Sequence, residues 1–258
     1  MTDPIAHRGP DGTSHWTHKN VGFGHCRLAI IDLSTHATQP MQSASGRYVI
    51  IYNGEIYNFR ELRAELARLG YAFQSRSDSE VVPNALVEWG TDALLRFNGM
   101  FALALWDKED ETLLLARDRY GIKPLYYNYQ ATGIAFGSEQ KAILAQTNFQ
   151  RVLNKKALLE YFTFQNLFTN QTLLEGVELL PAGTYLRFDT RRQDKTQNPV
   201  KYWDYNFRTP DQTSNREEYI EELDRLFCQA VNRQLVSDVE LGSYLSGGMD
   251  SGSITAIA

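Results

Sequence analysis

Cysteine is scarce in this sequence, with Cys26 and Cys228 the two among 258 residues, too few and too far apart for a disulfide framework. All five histidines precede residue 37, and no converging set of donors predicts a zinc site or another metal site. No apolar run approaches the ~20 residues of a membrane-spanning helix, and the sequence does not open with a secretory signal. The net charge of -5, without a basic stripe, argues against binding to nucleic acid or to an anionic membrane. We therefore expect a cytoplasmic protein of mixed helices and strands.

The hydrophobic pattern divides the sequence into two parts. In the first, short apolar and β-branched runs alternate with turns and a few helical stretches, which is typical of antiparallel sheets. Polar residues without periodicity fill 190–199 and 209–215, and a long amphipathic helix is predicted over 216–235. We predict one domain over residues 1–205 and the beginning of a second, α/β domain over residues 206–258.

Two charged residues, Arg27 and Asp78, lie within or at the start of predicted secondary-structure elements. Arg27 lies in a predicted strand over 23–31, and a charge there requires a carboxylate of the protein or of a ligand. Asp78 is at the start of a predicted helix over 78–89, where a carboxylate is also an ordinary helix cap. The residues alone leave both interpretations open.

The pair Asn53-Gly54 follows a predicted strand over 48–52. An Asn-Gly pair is a strong signal for a β-hairpin turn. The alternative is an oxyanion site, because glycine adopts backbone angles that expose N–H groups and the Asn53 amide can donate a hydrogen bond. Local sequence does not decide between a turn and a site.

A small-residue loop lies near the end of the sequence, from Ser246 to Ser251. It follows a strand-like stretch over 239–245 and precedes a predicted helix over 253–258. A strand, a glycine loop and a helix N-terminus together form an anion site, in which serine hydroxyls donate to phosphate oxygens. Asp250 is suited to hold Mg²⁺ or to orient the loop. A plain turn is the alternative.

Taken together, the segments resemble those of a known family. The order HRGPDG, RLAIIDLS, YNGEIYNF, SDSEVV, NGMFALALWD, ARDRYGIKPLYY and FGSEQKA resembles the glutamine-hydrolysing asparagine synthetases. The later YLSGGMDSGS resembles the pyrophosphate loop of their ATP-using domain. The resemblance covers essentially the whole sequence and implies an α+β fold. The expected architecture is a four-layer αββα sandwich of the N-terminal-nucleophile hydrolase type, followed by the first elements of an α/β nucleotide-binding domain.

The resemblance implies a glutamine pocket made of Arg27, Ile31, Asn53, Gly54, Glu55 and Asp78. Arg27 would pair with the α-carboxylate of glutamine, while Glu55 and Asp78 would hold its α-ammonium group. The Asn53 side chain and the Gly54 N–H would form the oxyanion hole that stabilises the tetrahedral intermediate.

The resemblance also implies an ATP site made of Leu245, Ser246, Gly247, Gly248, Asp250 and Ser251. In the complete family enzyme, ATP with Mg²⁺ activates aspartate by adenylation, and ammonia from glutamine reaches the acyl-adenylate through an internal channel. The products are asparagine, glutamate, AMP and pyrophosphate. The implied partners are therefore the small molecules glutamine, aspartate and ATP, with a homodimer left open.

The sequence departs from the family at the nucleophile. In the family a cysteine becomes the first residue after methionine removal, attacks glutamine and uses its own α-amine as the base. This sequence opens with Met1-Thr2 instead, and neither Cys26 nor Cys228 offers both groups. Thr2 is not expected to replace the cysteine, because it lies so close to the HRGPDG turn. We expect a fragment without the N-terminal strand and without activity of its own.

Two other functions remain open from the sequence. A related amidotransferase of a polysaccharide or β-lactam-type pathway would share the same plan with another acceptor. A glutamine-binding module that has lost its nucleophile would lie outside enzymes altogether. The acceptor pocket would lie in sequence after residue 258, so these residues do not identify the acceptor.

Overall fold

The computed structural model of the protein describes residues 1–130, 133–147, 149–191, 197–207 and 215–258. Of the loops predicted over 190–199 and 209–215, residues 192–196 and 209–214 lie outside the described residues. The strands are β1 (Gly12–His18), β2 (Val21–Arg27), β3 (Met41–Gln42), β4 (Tyr48–Ile56), β5 (Gly99–Asp107), β6 (Thr112–Arg117), β7 (Tyr126–Gln130), β8 (Gly133–Gly137), β9 (Val177–Leu179), β10 (Thr184–Asp189) and β11 (Val200–Lys201). The helices are α1 (Phe59–Arg68), α2 (Asp78–Trp89), α3 (Ala93–Arg96), α4 (Gln140–Leu144), α5 (Lys155–Phe164), α6 (Arg216–Gln234) and α7 (Met249–Ile257). A short 3-10 helix, Asp3–Arg8, precedes them.

Six strands form one antiparallel sheet in the order β11-β10-β6-β5-β4-β3. Successive side chains of a strand point to opposite faces, so each apolar central strand contributes to two cores. In β5, Phe101 and Leu103 belong to one buried cluster, while Ala102, Ala104 and Trp106 belong to the other. The sheet is therefore covered on both faces.

Helices α1 and α2 cover the first face. Leu62 and Leu66 of α1 are one helical turn apart and both buried, and Val81 and Ala85 of α2 show the same spacing. They share one cluster with the side chains that β4, β5 and β6 present on this face. Helix α2 spans the predicted residues, and Pro83 does not interrupt it.

A second β layer covers the other face. It consists of the hairpin β1-β2 and a sheet in the order β8-β7-β9. Phe23 of β2 and Tyr127 of β7 are buried against the large sheet. On the far side of this layer, Ile143 of α4 packs in a small cluster with Ala135 of β8 and Val177 of β9. The layers therefore follow the order α, β, β, α, as the family resemblance implies.

In the second β layer, β2 and β8 are not paired with each other. Among the described residues, β2 pairs with β1 alone and β8 pairs with β7 alone, so each strand has one edge without a neighbouring strand. Both strands line the same cavity, and the ring centroids of Phe23 and Phe136 approach to 5.8 Å beside it. This groove lies between two strand edges and above the large sheet.

The C-terminal segment contains two helices and a loop. The long helix α6 and the later α7 agree with the predicted helices, but the strand predicted over 239–245 is wrong: the structure has an irregular segment there. A strand needs a neighbour for its backbone hydrogen bonds, and no described strand pairs with this segment. Within the described part of the chain, no helix combines the length and apolar character needed to cross a membrane.

Candidate functional site

A cavity of about 610 Å³ lies between the two β layers. Its wall includes β2, the segment after it, β4, β5, β8 and the N-terminal 3-10 helix. The structure brings the six residues expected to bind glutamine to this one cavity: Arg27, Ile31, Asn53, Gly54, Glu55 and Asp78. Their role in binding glutamine stays a prediction.

Arg27 is the last residue of β2, where the strand meets an irregular segment. Its Nη2 donates to the Asp32 carbonyl at 2.6 Å, and no carboxylate of the described residues forms an ion pair with it. The internal ion pair considered from the sequence is therefore not formed among these residues. A half-buried guanidinium held by one carbonyl can accept a carboxylate from a ligand.

Asn53 and Gly54 lie inside β4, so the hairpin-turn interpretation is wrong. They pair with Ala102 and Phe101 of β5 within a ladder that runs along the whole strand. The glycine is required by close packing, since a Cβ at position 54 would lie 2.1 Å from the Met100 carbonyl oxygen. Asn53 carries a buried Nδ2 without a hydrogen-bond partner among the described residues.

The edge of β4 presents backbone N–H groups to side chains. The Tyr52 N–H donates to Gln39 Oε1 at 2.6 Å, and the Ile56 N–H donates to Asp78 Oδ2 at 2.9 Å. Because successive N–H groups of a strand alternate in direction, the Gly54 N–H points to the same edge as these two, away from β5. The Asn53 amide and the Gly54 N–H are thus suited to bind an oxyanion.

Two carboxyl groups line the cavity in different settings. Asp78 begins α2 and is 3% exposed; its carboxylate accepts hydrogen bonds from the Tyr52 hydroxyl at 2.8 Å and from the Ile56 N–H. Burial raises the pKa of Asp78, and these hydrogen bonds oppose the rise. Glu55 has no hydrogen bond or ion pair among the described residues, and burial raises its pKa, with the Asp78 charge adding to the rise.

Lys123 is a cavity residue to which the sequence reasoning gave no role. It lies in the IKP part of the ARDRYGIKPLYY segment, and that segment is the signal that could have drawn attention to it. Burial lowers the pKa of its ammonium group, while the charge of Glu55 opposes the lowering. The same ammonium group restrains the rise in the Glu55 pKa. Lys123 therefore helps to keep Glu55 ionised.

The N-terminal residues and Cys26 also reach the cavity. The Thr2 hydroxyl is within hydrogen-bond distance of His15 Nε2, at 2.8 Å, and Thr2 is buried. Cys26 lies on β2 with its Sγ 3.7 Å from the Thr2 carbonyl oxygen. His25 on the same strand lines the cavity too, and burial lowers its pKa to about 4, so its ring is uncharged near neutral pH.

The glycine loop precedes α7, but the described segment before it is not a strand and α7 begins at Met249, inside the predicted loop. Gly247 has a φ of 83°, in the left-handed region, and Gly248 is the N-cap residue of α7. The hydroxyls of Ser246 and Ser251 lie 2.9 Å apart, and the Ser251 hydroxyl donates to the Gly248 carbonyl. Among the described residues no three acidic, histidine or cysteine side chains are grouped to hold a metal ion, and the role of Asp250 towards Mg²⁺ stays a prediction. The six residues expected to bind ATP remain a prediction.

The four layers and the cavity between the sheets define the class: an N-terminal-nucleophile type αββα sandwich. The sequence profile described as "Glutamine amidotransferase domain" matches residues 1–203, and the one described as "Asparagine synthase" matches residues 222–258. The chain therefore belongs to the glutamine amidotransferase domain family. The resemblance to glutamine-hydrolysing asparagine synthetases is confirmed.

Known proteins extend this similarity over the whole chain. Asparagine synthetase [glutamine-hydrolyzing] 3 of Bacillus subtilis is 39% identical over 261 residues, which cover 100% of this chain and 41% of that protein. Amidase chry2 of Gibberella zeae is 34% identical and covers 99% of this chain and 37% of its own. Among solved structures, the glutamine phosphoribosylpyrophosphate amidotransferase of B. subtilis covers 70% of this chain and 35% of its own, with 18% identity and a TM-score of 0.48. This chain spans about two fifths of the length of the asparagine synthetases that it matches.

Proposed function

We propose that the cavity binds L-glutamine and that the chain is the glutaminase unit, with the start of the synthetase unit, of a glutamine-hydrolysing asparagine synthetase. The observation that carries the proposal is the buried Asn53 Nδ2, which has no partner among the described residues. A buried donor without a partner costs free energy, so its position in a cavity favours an acceptor from a ligand. The carbonyl oxygen of a side-chain amide is such an acceptor.

The charges around the cavity complement the rest of an amino acid. Arg27 is free to accept the α-carboxylate in a charge-assisted pair, and Glu55 is a free carboxylate for the α-ammonium group. Asp78 adds negative charge beside Glu55. Glutamine bound by these groups would direct its side-chain amide towards Asn53 and Gly54.

Hydrolysis needs a nucleophile in addition to these groups. The groove between β2 and β8 supports the proposal that a further strand, beginning with a cysteine, completes the second β layer. The cysteine thiolate would attack the amide carbon, and its α-amine would take the thiol proton and deliver it to the leaving ammonia. Water would then hydrolyse the thioester to glutamate and free thiol. The 258 residues without that strand are proposed to bind glutamine without hydrolysing it.

The synthetase half of the proposal concerns the complete protein. The match of residues 222–258 to asparagine synthase supports an ATP-dependent amidation of aspartate. The glycine loop before α7 would contribute to the ATP phosphate site. The similarity to amidase chry2 keeps one alternative open, an amidotransferase that uses another acceptor. An assay of the complete protein with aspartate and with other acceptors separates the two.

A calorimetric titration of the 258-residue chain with L-glutamine tests the proposed binding. We expect saturable binding with one molecule per chain. D-glutamine should bind much more weakly, because its inverted centre exchanges the positions of carboxylate and ammonium. L-asparagine is the second control, since its shorter side chain would hold its amide away from Asn53. Absence of binding to L-glutamine at millimolar concentration, in a chain shown to be folded by circular dichroism, would contradict the proposal.

The carboxyl groups give glutamine binding an expected pH dependence. Because burial raises the pKa of Glu55 and Asp78, both groups take up protons at a higher pH than ordinary carboxyls do. The α-ammonium group of glutamine binds their ionised forms, so the affinity should fall as the pH drops through these raised pKa values and should level off above them. Titrations at decreasing pH measure this, with circular dichroism confirming the fold at each value.

The variant Glu55→Gln is the control for the pH dependence. It should bind glutamine more weakly near neutral pH and should lose the part of the pH dependence that Glu55 contributes. An affinity that stays constant over the acid range in which the chain remains folded would show that the carboxyls do not bind the ammonium group.

A further inference from the structure

The segment that follows Arg27 is held by a residue from the far end of the chain. Asp238 lies a few residues after α6, within the part matched by asparagine synthase. Its N–H donates to the Ile30 carbonyl at 2.9 Å, and its Oδ2 accepts a hydrogen bond from the Asp32 N–H at 2.7 Å. The second of these contacts joins residues that are 206 positions apart in the sequence.

Asp32 connects that contact to the cavity. Its carbonyl accepts the hydrogen bond from Arg27 Nη2 at 2.6 Å, and this is the described hydrogen bond that orients the guanidinium. Its carboxylate accepts from the N–H of Ser34 at 2.9 Å and from the N–H of Arg76 at 2.7 Å, two residues before Asp78. Asp32 therefore contacts both Arg27 and the segment just before Asp78, two residues expected to bind glutamine.

The backbone of Asp32 needs support from its neighbours. Its φ of 58° lies in the left-handed region, which non-glycine residues adopt at a cost in free energy unless surrounding contacts hold them there. The bond to Asp238 fixes the Asp32 N–H, and the bonds to Ser34 and Arg76 fix its side chain. Without the Asp238 carboxylate, the Asp32 N–H loses its hydrogen-bond partner. The backbone of Asp32, whose carbonyl holds Arg27, then loses one of these supports.

We propose that Asp238, in the part matched by asparagine synthase, is a positioning residue for glutamine binding. It holds Asp32, and Asp32 in turn orients the Arg27 guanidinium. The inference rests on the proposed function for its effect on glutamine. The contact connects residues 222–258, matched by asparagine synthase, with residues 1–203, matched by the glutamine amidotransferase domain. Formation of the Asp238 contact and binding of glutamine would then favour each other by the same factor.

Three variants of the 258-residue chain test the proposal by calorimetric titration. Asp238→Ala removes the acceptor and should weaken L-glutamine binding by about 3- to 20-fold, the range expected for indirect coupling. Asp238→Asn keeps an oxygen acceptor at the same place and should bind glutamine nearly as well as the parent chain. Glu240→Ala is the matched control, since Glu240 lies two residues away with no described hydrogen bond, and it should have no effect.

A second ligand separates action through Arg27 from general damage to the site. The compound 4-aminobutanamide has the amide and the ammonium group of glutamine but lacks the α-carboxylate. Asp238→Ala should leave its binding unchanged, because Arg27 has no carboxylate to hold. Equal weakening for both ligands, or glutamine binding unaffected by Asp238→Ala, would overturn the proposal.

Hydrogen exchange tests the contact without any ligand. In the parent chain, the peptide covering residues 28–34 should exchange more slowly than in Asp238→Ala, while Asp238→Asn should retain the protection. Unchanged exchange in a folded Asp238→Ala variant would overturn the proposal. If the parent chain shows this protection but does not bind glutamine, the proposed function fails while the contact itself is supported.

Discussion

Replacing Arg27 by alanine is expected to weaken L-glutamine binding by about 100-fold, since removing one partner of a desolvated, hydrogen-bonded charge pair costs roughly 2–5 kcal/mol. Arg27 is held by the Asp32 carbonyl and has no ion pair among the described residues, so its guanidinium is available to the substrate α-carboxylate. Titration calorimetry of the variant against L-glutamine measures the effect. The variant should remain folded, because the side chain lies at a cavity wall and not in a core cluster.

Two further variants make this result specific. Arg151→Ala removes the same charge from an exposed position outside the cavity and should leave the affinity unchanged. Arg27→Lys keeps the charge but loses the planar fork that binds a carboxylate through two hydrogen bonds, so its affinity should be intermediate. If Arg27→Ala binds glutamine as tightly as Arg151→Ala does, the carboxylate is held elsewhere.

Extending the chain by a strand is expected to switch on glutamine hydrolysis. A longer form that carries an N-terminal strand beginning with cysteine, taken from a related asparagine synthetase, should release ammonia from glutamine. The strand would hydrogen-bond to the open edges of β2 and β8 and bring the thiol to the wall that carries Asn53 and Gly54. The 258 residues alone should release none, because neither Cys26 nor Cys228 has a free α-amine beside its thiol. A coupled assay for ammonia measures both.

The controls for hydrolysis address the nucleophile and the oxyanion hole separately. The same longer form with serine in place of its first cysteine should be inactive while still binding glutamine. Asn53→Ala in the active form should lower kcat by about 10²- to 10³-fold, as removal of one oxyanion donor does in other acyl-transfer enzymes. Ammonia release by the 258 residues alone would contradict the account, and Thr2→Ala would then show whether the Thr2 hydroxyl beside His15 is responsible.

The fold was predictable from the sequence where local pattern and tertiary pairing agree. The helix predicted over 78–89 agrees with α2, and the long amphipathic helix predicted over 216–235 agrees with α6. The stretch over 239–245 shows the opposite case. Its strand-like composition has no described strand to pair with, and a strand does not form from composition alone.

The pair Asn53-Gly54 shows how pairing overrides a local turn signal. β4 pairs with β5 on both sides of these two residues, so they remain within the ladder. Both residues line the same cavity as the other four residues that the resemblance implies for glutamine binding, and that role stays a prediction.

The residues that the sequence did not reveal depend on long-range contacts. The charge of Lys123 lowers the pKa of Glu55, although the two residues lie in separate segments of the sequence. Nothing in either segment indicates that they are close in the fold. Asp238 reaches Asp32 across 206 positions. Such contacts follow from the folded arrangement and not from the spacing of neighbouring residues.

The most direct test of the glutamine site is a titration of the isotopically labelled 258-residue chain with L-glutamine, followed by the NMR signals of its backbone amides. We expect shifts concentrated at Arg27, Asn53, Gly54, Glu55 and Asp78, with the loop from Ser246 to Ser251 unaffected. Shifts centred on another surface, or no shifts at saturating glutamine in a folded chain, would contradict it.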